Sequence, residues 1–588
     1  NSMKNNNILI SFIATIFIML ASCGESFLYK TPQGSIDQAA LMNKTGVDLL
    51  TTTAYANLTE DGWGASPFNW TFGGMYGGDA NKGSDANDQS VLNDMEKYSV
   101  QSNNNYINQK WIWVYKGAKR VNIALQTIEE VEEELPEIFV KTRKGELYFL
   151  RTLFYFEGIK VFGPFIPWVD ETVKDNDPKI HNDVDIYPKV LADIDVAITN
   201  LPEKQDLPGR ANLWAAKALK AKILMQKGDM ASAKPILKDV IDNGQTSNAL
   251  KYGLEDDMNA NFDSYRDNGK ESIFAVQFSN DYNNANTGMS LCYPHGGADS
   301  PGGCCGFYQP SYELANSFKV GTDGLPLLDN SYRSEPYVSV KNPSTEKEAP
   351  LSVNTNALVD PRLDFAIGRF GIPYKDWGFP KSNWVRDMGN GGFFMPKKHV
   401  YSKKELDAGL AGGGLSAGWA PGSAINLQYL SLRDMILLYA ECLANDGNTA
   451  EAMNMVNQIR KRAALPVNII KLPNGNPAAN YLVKEYPSTH AVFTNKELCI
   501  KAVRMERKLE LAMEGQRWFD LARLGGEYMS QQIKEYIDFE KGYLFTKFSA
   551  AVTLDASKTM FPIPQTQIQT MGNDENGEPY LVQPDPWK

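Results

Sequence analysis

The residues best placed to do chemistry are aromatic rings set among polar neighbours, in stretches that read as loops. Trp63 and Trp70 flank Ser66-Pro67-Phe68-Asn69, and Tyr76 and Asp79 follow. Tyr282, Tyr293, His295 and Tyr308 fall in a second stretch. Trp377 and Trp384 flank Gly378-Phe379-Pro380, with Arg386 and Asp387 just after. Flat ring faces suit the apolar C–H patches of sugar rings. Neighbouring Asn, Asp and Arg can hydrogen-bond hydroxyls, directly or through water. The competing role for any one ring is to pin a long loop to the scaffold. As a set, the eight Trp and Tyr rings together with Asp79, His295 and Arg386 are the expected glycan-contacting residues. Trp111, Trp113, Trp214 and Trp518 lie in helical patterns and are expected in the core.

Other chemistry is sparse. Gly414-Leu415-Ser416-Ala417-Gly418 matches the nucleophile-elbow pattern, but it follows Ala411-Gly412-Gly413 and precedes Pro421, so it reads as a glycine loop. Asp79, Asn81, Asp85, Asn87 and Asp88 form a calcium-like series that is incomplete and interrupted by Lys82, so a solvated turn is preferred over a calcium ion. No P-loop, GxGxxG or HExxH occurs, and four histidines leave little for a metal centre. A carboxylate pair for glycoside hydrolysis can be neither identified nor excluded among 70 acids. Cys442 and Cys499 read as buried thiols. Cys292 and the adjacent Cys304-Cys305 share one Gly/Pro-rich loop, and the adjacent pair is either a vicinal disulfide or two reduced thiols.

The elements that must position these residues begin with an export signal. Lys4 precedes an uncharged run from Ile8 to Leu20, matching a signal-peptide core and short of the roughly 20 residues needed to span a bilayer. It ends Leu20-Ala21-Ser22-Cys23, a bacterial lipobox, so residues 1–22 are expected to be removed and Cys23 acylated. The 588 residues carry a net charge of −11, which disfavours nucleic acid as a partner. Helical periodicity runs over Trp111–Glu134, Thr142–Val161, Val184–Asn200 and Asn495–Leu524. Two segments match each other: Ala221 through Gly228-Asp229 to Ala233, and Ala440 through Gly447-Asn448 to Ala452. Glycine ends one helix and Asp229 or Asn448 caps the next, a tetratricopeptide-like unit. Residues 255–425 are rich in Asn, Gly, Pro and aromatics with short strand-like runs such as Ile273–Phe278, and read as loops and small strands on the helical scaffold. The expected fold is mainly α: a tetratricopeptide-like superhelix with a loop-rich insertion.

The ordered motifs resemble the SusD/RagB family. They are Ser26-Phe27-Leu28 with Pro32; Arg143-Lys144-Gly145-Glu146 with Leu150-Arg151 and Phe162-Gly163-Pro164; Asp360-Pro361-Arg362-Leu363; Glu506-Arg507; Glu514-Gly515-Gln516-Arg517-Trp518-Phe519-Asp520-Leu521; and Phe561-Pro562-Ile563-Pro564. The resemblance implies a helical region over 23–254 and a C-terminal region with ligand-binding loops over 255–588. It also implies a non-catalytic glycan-binding lipoprotein of the outer membrane, facing the exterior, with a SusC-like TonB-dependent transporter as partner. The alternatives are a secreted glycoside hydrolase and a peptide- or glycopeptide-binding repeat scaffold. Glu506, Arg507, Glu510, Glu514 and Arg517 have the spacing of a charge ladder along one helix, read as structural. Cys23→Ala is expected to move the protein out of the membrane fraction, as followed by cell fractionation.

Overall fold

The computed structural model describes residues 38–588 except 60–62, 176, 298, 341–350, 354–355, 417, 419 and 551. The lipobox, Cys23 and the Ser26–Pro32 motif lie outside the described residues.

The first layer is three long helices. Helix α1 is Lys44–Ala56, α2 is Asn105–Val131 and α3 is Glu137–Phe162. Helix α2 starts six residues before the expected position because Asn104 caps it, accepting from the Tyr106 amide at 3.0 Å. Pro136 sits at the N-cap of α3, where its missing N–H costs nothing. From Gly145 to Phe162 every side chain of α3 except Tyr148 is buried. Close approach of its neighbour requires Gly117 on α2, where a Cβ would lie 2.6 Å from the Phe154 ring. The sequence-matched segments form two helix pairs. The first is α4 (Leu213–Lys227) and α5 (Met230–Asn243), the second α6 (Leu432–Asn445) and α7 (Thr449–Ala463). Gly228 and Gly447, at φ 87° and 82°, make the turns. Asp229 caps α5 through the Ser232 amide, but Asn448 makes no such cap. Its amide instead donates to Glu451 at 2.7 Å. The two pairs pack on each other, with Lys222–Asp434 and Lys234–Asp446 contacts at 2.7 and 2.6 Å. The mainly helical, repeat-built expectation holds.

The expected single helix Asn495–Leu524 is two. Helix α8 (Lys496–Glu510) ends in a turn with Met513 and Gly515 at positive φ, and α9 (Arg517–Arg523) follows. The break has a cause: a Cβ on Gly515 would sit 1.9 Å from the Phe68 carbonyl oxygen, so the turn is where the 66–69 loop rests. The charges expected to form a ladder also point elsewhere. Glu506 takes Arg362 at 2.6 Å and Arg460 at 3.0 Å. Glu510 takes Arg362 at 3.1 Å and also pairs with Arg462. Glu514 takes Lys398 and Arg433, each at 2.8 Å. Arg433 and Arg462 meet again on Glu271, and Arg507 holds Asp434 and Asp520. A one-helix ladder is replaced by a buried lattice joining several segments.

Strands are short and paired two by two. Strand β1 (Ala80–Gly83) pairs antiparallel with β3 (Phe307–Pro310), with Asn81 opposite Gln309. Strand β2 (Ser272–Val276) pairs with β4 (Leu427–Ser431), with Leu427 opposite Val276. Both pairs join segments far apart in sequence. Residues 561–563 close the first layer: the Phe561 amide donates to Val161 O at 2.7 Å, and its ring packs on Phe72 and Tyr76.

Glu157 on α3 is fully buried between Lys110 and Lys160, at 2.8 and 2.5 Å, and accepts from Tyr429 of β4 and Asn69. Burial pushes this carboxyl up, but the two ammonium groups outweigh it and hold it at about 2. Burial likewise opposes ionisation of Glu510, and Arg462, Arg362, Lys398 and Arg433 bring it to about 2. A free glutamate titrates near about 4.3, so between these values the folded chain binds fewer protons than the unfolded one. The contribution of these two carboxylates to stability is expected to be level above about pH 5 and to be lost as pH drops through about 4 toward 2, read as the acid-side fall in urea-unfolding stability across pH. Glu506→Gln should cost about 3–5 kcal/mol in the same assay, because it weakens the anchor of two buried guanidinium groups.

Candidate functional site

Three loops and the ends of β1 and β3 meet on one face. The loop after β1 carries Asp85 and Asp88. Arg386 reaches across to both, at 2.6 and 2.7 Å, and to the Ser84 hydroxyl at 3.1 Å. Asp387 caps the turn Met388–Gly391, and Asn390 donates to Gly83 O at 2.8 Å, fixing the 386–391 segment to β1. Tyr106 at the start of α2 donates to Gln89 at 3.0 Å. The loop is thus held from the helical layer as well.

The calcium-like series has its own cation. Lys82 Nζ donates to the carbonyls of Asp85 and Asp88 at 2.9 and 2.8 Å, while the Asp85 and Asp88 carboxylates go to Arg386. The oxygens an ion would need are engaged by protein donors.

The loop from Tyr293 to Gly306 lies beside the one from Lys375 to Arg386. His295 Nδ1 contacts Asn383 O at 3.0 Å, and Lys381 pairs with Asp299 at 2.7 Å. Tyr401 is the hinge post between them. Its hydroxyl donates to Pro301 O, its ring meets Tyr293 edge-on at 5.3 Å, and its carbonyl accepts from the Trp377 indole at 3.0 Å. Cys304 and Cys305 are joined as a vicinal disulfide in this loop. Cys442 and Cys499 are buried thiols, and Cys292 is buried outside any disulfide.

Five of the expected ligand rings have no face to offer. Trp70 lies against Phe307 and Tyr308, and Tyr76 is boxed by Tyr98, Trp518 and Phe561. Tyr293 is sealed under Tyr401 and bonded to Ser423 at 3.2 Å, Tyr308 sits on Phe68 and Trp70, and Trp384 packs edge-on against Tyr374. All five are at most 2% exposed, so they serve packing. Asp79 is also interior and accepts from the Met513 amide at 3.2 Å. Burial raises its carboxyl to about 6.

What remains at the surface is a smaller set. Tyr282 is 59% exposed, Trp63, Trp377 and His295 are half-buried, and Arg386 is exposed. The structure brings His295, Trp377 and Arg386 together through the 375–386 loop. Tyr282 lies on a turn before Asn286, which bridges Ser423 beside Tyr293. Phe379, 44% exposed between Trp377 and Trp384, was missed. Its signal was available: Gly378 at φ 84° and Pro380 force a turn that throws the ring outward. Asn383, Lys381 and Asp299 were missed because single polar loop residues carry no spacing pattern.

The face is thus an open platform of ring edges rimmed by paired charges, suited to a flat hydroxylated ligand. A cleft of about 450 Å³ elsewhere runs along α2 past Ile112, Ile123, Pro167 and Val173. Its walls mix these aliphatic side chains with Trp111, Tyr115, Lys116, Lys119, Lys174, Asp175 and Asp177, and the Asn122 and Gln126 amides in it already donate to Val169 O and Glu171 O.

The family model described as the SusD family matches residues 270–580, and one described as starch-binding, associating with outer membrane, matches 30–225. The chain belongs to the SusD family. SusD-like protein P2 of Formosa agariphila is 23% identical over 536 residues, covering 87% of this chain and 90% of that one. A SusD superfamily protein from Bacteroides vulgatus superposes with a TM-score of 0.65 at 19% identity, over 93% and 99% of the two chains. A laminarin-binding SusD-like protein superposes at 0.61 and 18%, over 92% and 99%. Surface glycan-binding protein A from Bacteroides thetaiotaomicron, in complex with laminarihexaose, superposes at 0.59 and 17%, over 92% and 99%.

The two ring classes separate in stability. Trp384→Ala is expected to cost about 3–5 kcal/mol, and Phe379→Ala to stay within about 0.5 kcal/mol, both read by denaturant unfolding.

Proposed function

We propose that this protein captures oligo- or polysaccharide on the loop face and delivers it to a SusC-like TonB-dependent transporter, while lipid-anchored through Cys23 at the exterior of an outer membrane. The observation that carries the reading is the set Trp377, Phe379, Tyr282 and His295, presented on loops of a SusD scaffold beside paired polar groups. Support comes from the family descriptions, which name starch binding and outer-membrane association. It comes also from two structural neighbours, one described as laminarin-binding and one in complex with laminarihexaose. No helix among the described residues is long and apolar enough to cross a membrane, so attachment in this reading rests on the acylated cysteine.

Binding without hydrolysis is the better account of the carboxylates on the face. A glycosidase acid must stay protonated near neutral pH. Lys381 holds Asp299 below its ordinary value. At Asp85, slight burial pushes upward, but the Asn87 and Asp88 amides and Arg386 outweigh it and lower the carboxyl. Asp376 accepts from the Lys403 and Lys404 amides. Asp299 and Asp85 are thus held as ionised acceptors.

Calorimetry and affinity electrophoresis against laminarin, starch and a wider polysaccharide panel test the reading. At least one glycan is expected to bind. Trp377→Ala should weaken it by about 1–2 kcal/mol, roughly 5- to 30-fold. Failure to bind any glycan would overturn the assignment.

A further inference from the structure

Interior cations in this protein are matched with care. Arg362, Arg433, Arg460, Arg462, Arg507 and Arg523 each meet at least one carboxylate within 3.0 Å. One place departs from the pattern. A pocket of about 240 Å³ between α8, α9 and the following helix α10 (Gly526–Glu540) is lined by Lys501, Arg504, Lys508 and Arg517. Among the described residues, Lys501, Arg504 and Arg517 make no side-chain hydrogen bond or ion pair. Arg504 Nε is buried and lacks a hydrogen-bond partner. Its guanidinium lies over the Tyr528 ring at 4.6 Å, so the fork is held in one plane.

The opposing acids do not neutralise the group. Lys508 pairs with Glu313 at 3.0 Å, but that carboxylate also serves Arg333 at 2.8 Å and Tyr332 at 2.7 Å. Asp329 at the rim accepts from the Ser331 amide and hydroxyl, at 3.0 and 2.7 Å. The buried Asp79 feels the charge of Arg517, yet its hydrogen bond goes to Met513. Three cations without ion pairs therefore converge on one concavity in a chain of net charge −11, where bringing like charges together costs free energy unless an anion joins them.

We propose that this pocket is a binding site for a tetrahedral oxyanion of the sulfate or phosphate kind, either as the free ion or as an ester on a saccharide. Arg504 and Arg517 supply planar donor forks, and Lys501 supplies a mobile point charge at the mouth. Tyr528, Asn330 and Gln532 in the wall can take the remainder of an esterified sugar. The site is separate from the loop face and does not depend on glycan capture there.

The test is calorimetry on the whole chain with sodium sulfate and sodium phosphate, against sodium chloride at matched ionic strength. Saturable binding of sulfate or phosphate, absent with chloride, is expected. Lys501→Glu, at an exposed position chosen to spare the fold, should weaken it at least 10-fold, and Arg504→Gln should do the same where circular dichroism shows an unchanged fold. Both should leave glycan binding at the loop face as in the parent. A second arm compares galactose 6-sulfate with galactose. Tighter binding than free sulfate, with none for galactose, identifies an ester-borne anion; equal binding to free sulfate identifies the ion itself. Sulfate and phosphate behaving as chloride does, or undiminished binding by Lys501→Glu, would overturn the proposal.

Discussion

The buried ion lattice around Arg362, Glu506, Glu510, Arg462, Glu271, Arg433 and Glu514 is the constraint on which the rest depends. Its members come from the second repeat, from α8 and its terminal turn, and from the segments before β2 and after β3. Each charge is held by at least one opposite charge in a region closed to water. Pairing of this kind adds little net stability over an apolar core, but losing one partner strands the other. The lattice therefore selects one arrangement of segments. Lys398 and Glu514 carry it from the helices to the chain that leads into Tyr401, and Tyr401 supports the loop face. The platform can be open and irregular because what lies beneath it is fixed.

Much of the scaffold was legible. The helix pairs announced themselves by spacing, since Gly228 and Gly447 must turn the chain and the alanines must allow close packing. The break at Gly515 was not legible, because the apolar and charged periodicity continues through the turn; only the approach of Phe68 O from elsewhere makes a helix there untenable. The aromatic platform was half legible. Trp70, Tyr76, Tyr293 and Tyr308 are of the same residue types as Trp377, but they sit in runs without charged residues, from Gly62 to Gly78 and around Cys292 and Phe307. Trp377 and Phe379 are surrounded by Lys375, Asp376, Lys381, Arg386 and Asp387. Local charge density, more than aromatic count, distinguishes rings that are solvated from rings that pack. Trp384 and Trp63 defeat this rule: Trp384 shares the charged stretch and is buried all the same, because Tyr374 lies across it, and Trp63 is half-buried within the uncharged run.

The loop face and the pocket beside α8 differ in how they treat charge. On the loop face Arg386 and Lys381 are satisfied by Asp85, Asp88 and Asp299, so the field is locally closed and ring contact and hydroxyl hydrogen bonding dominate. In the pocket beside α8 the cations face one another, and the field is open. A neutral ligand suits the first and an anionic one the second.

The strand pairings and the 561–563 segment have a consequence for how the chain becomes folded. Phe561 completes a core begun at Phe72 and Tyr76, and β1 waits for β3 across more than two hundred residues. Synthesis at about 5–20 residues per second leaves roughly half a minute or more between the first of these partners and the last. Until Phe561 is made, the core it shares with Phe72 and Tyr76 is incomplete. Loss of the segment that carries Phe561 would leave the first layer without the ring that packs on Phe72 and Tyr76 and the amide that donates to Val161 O.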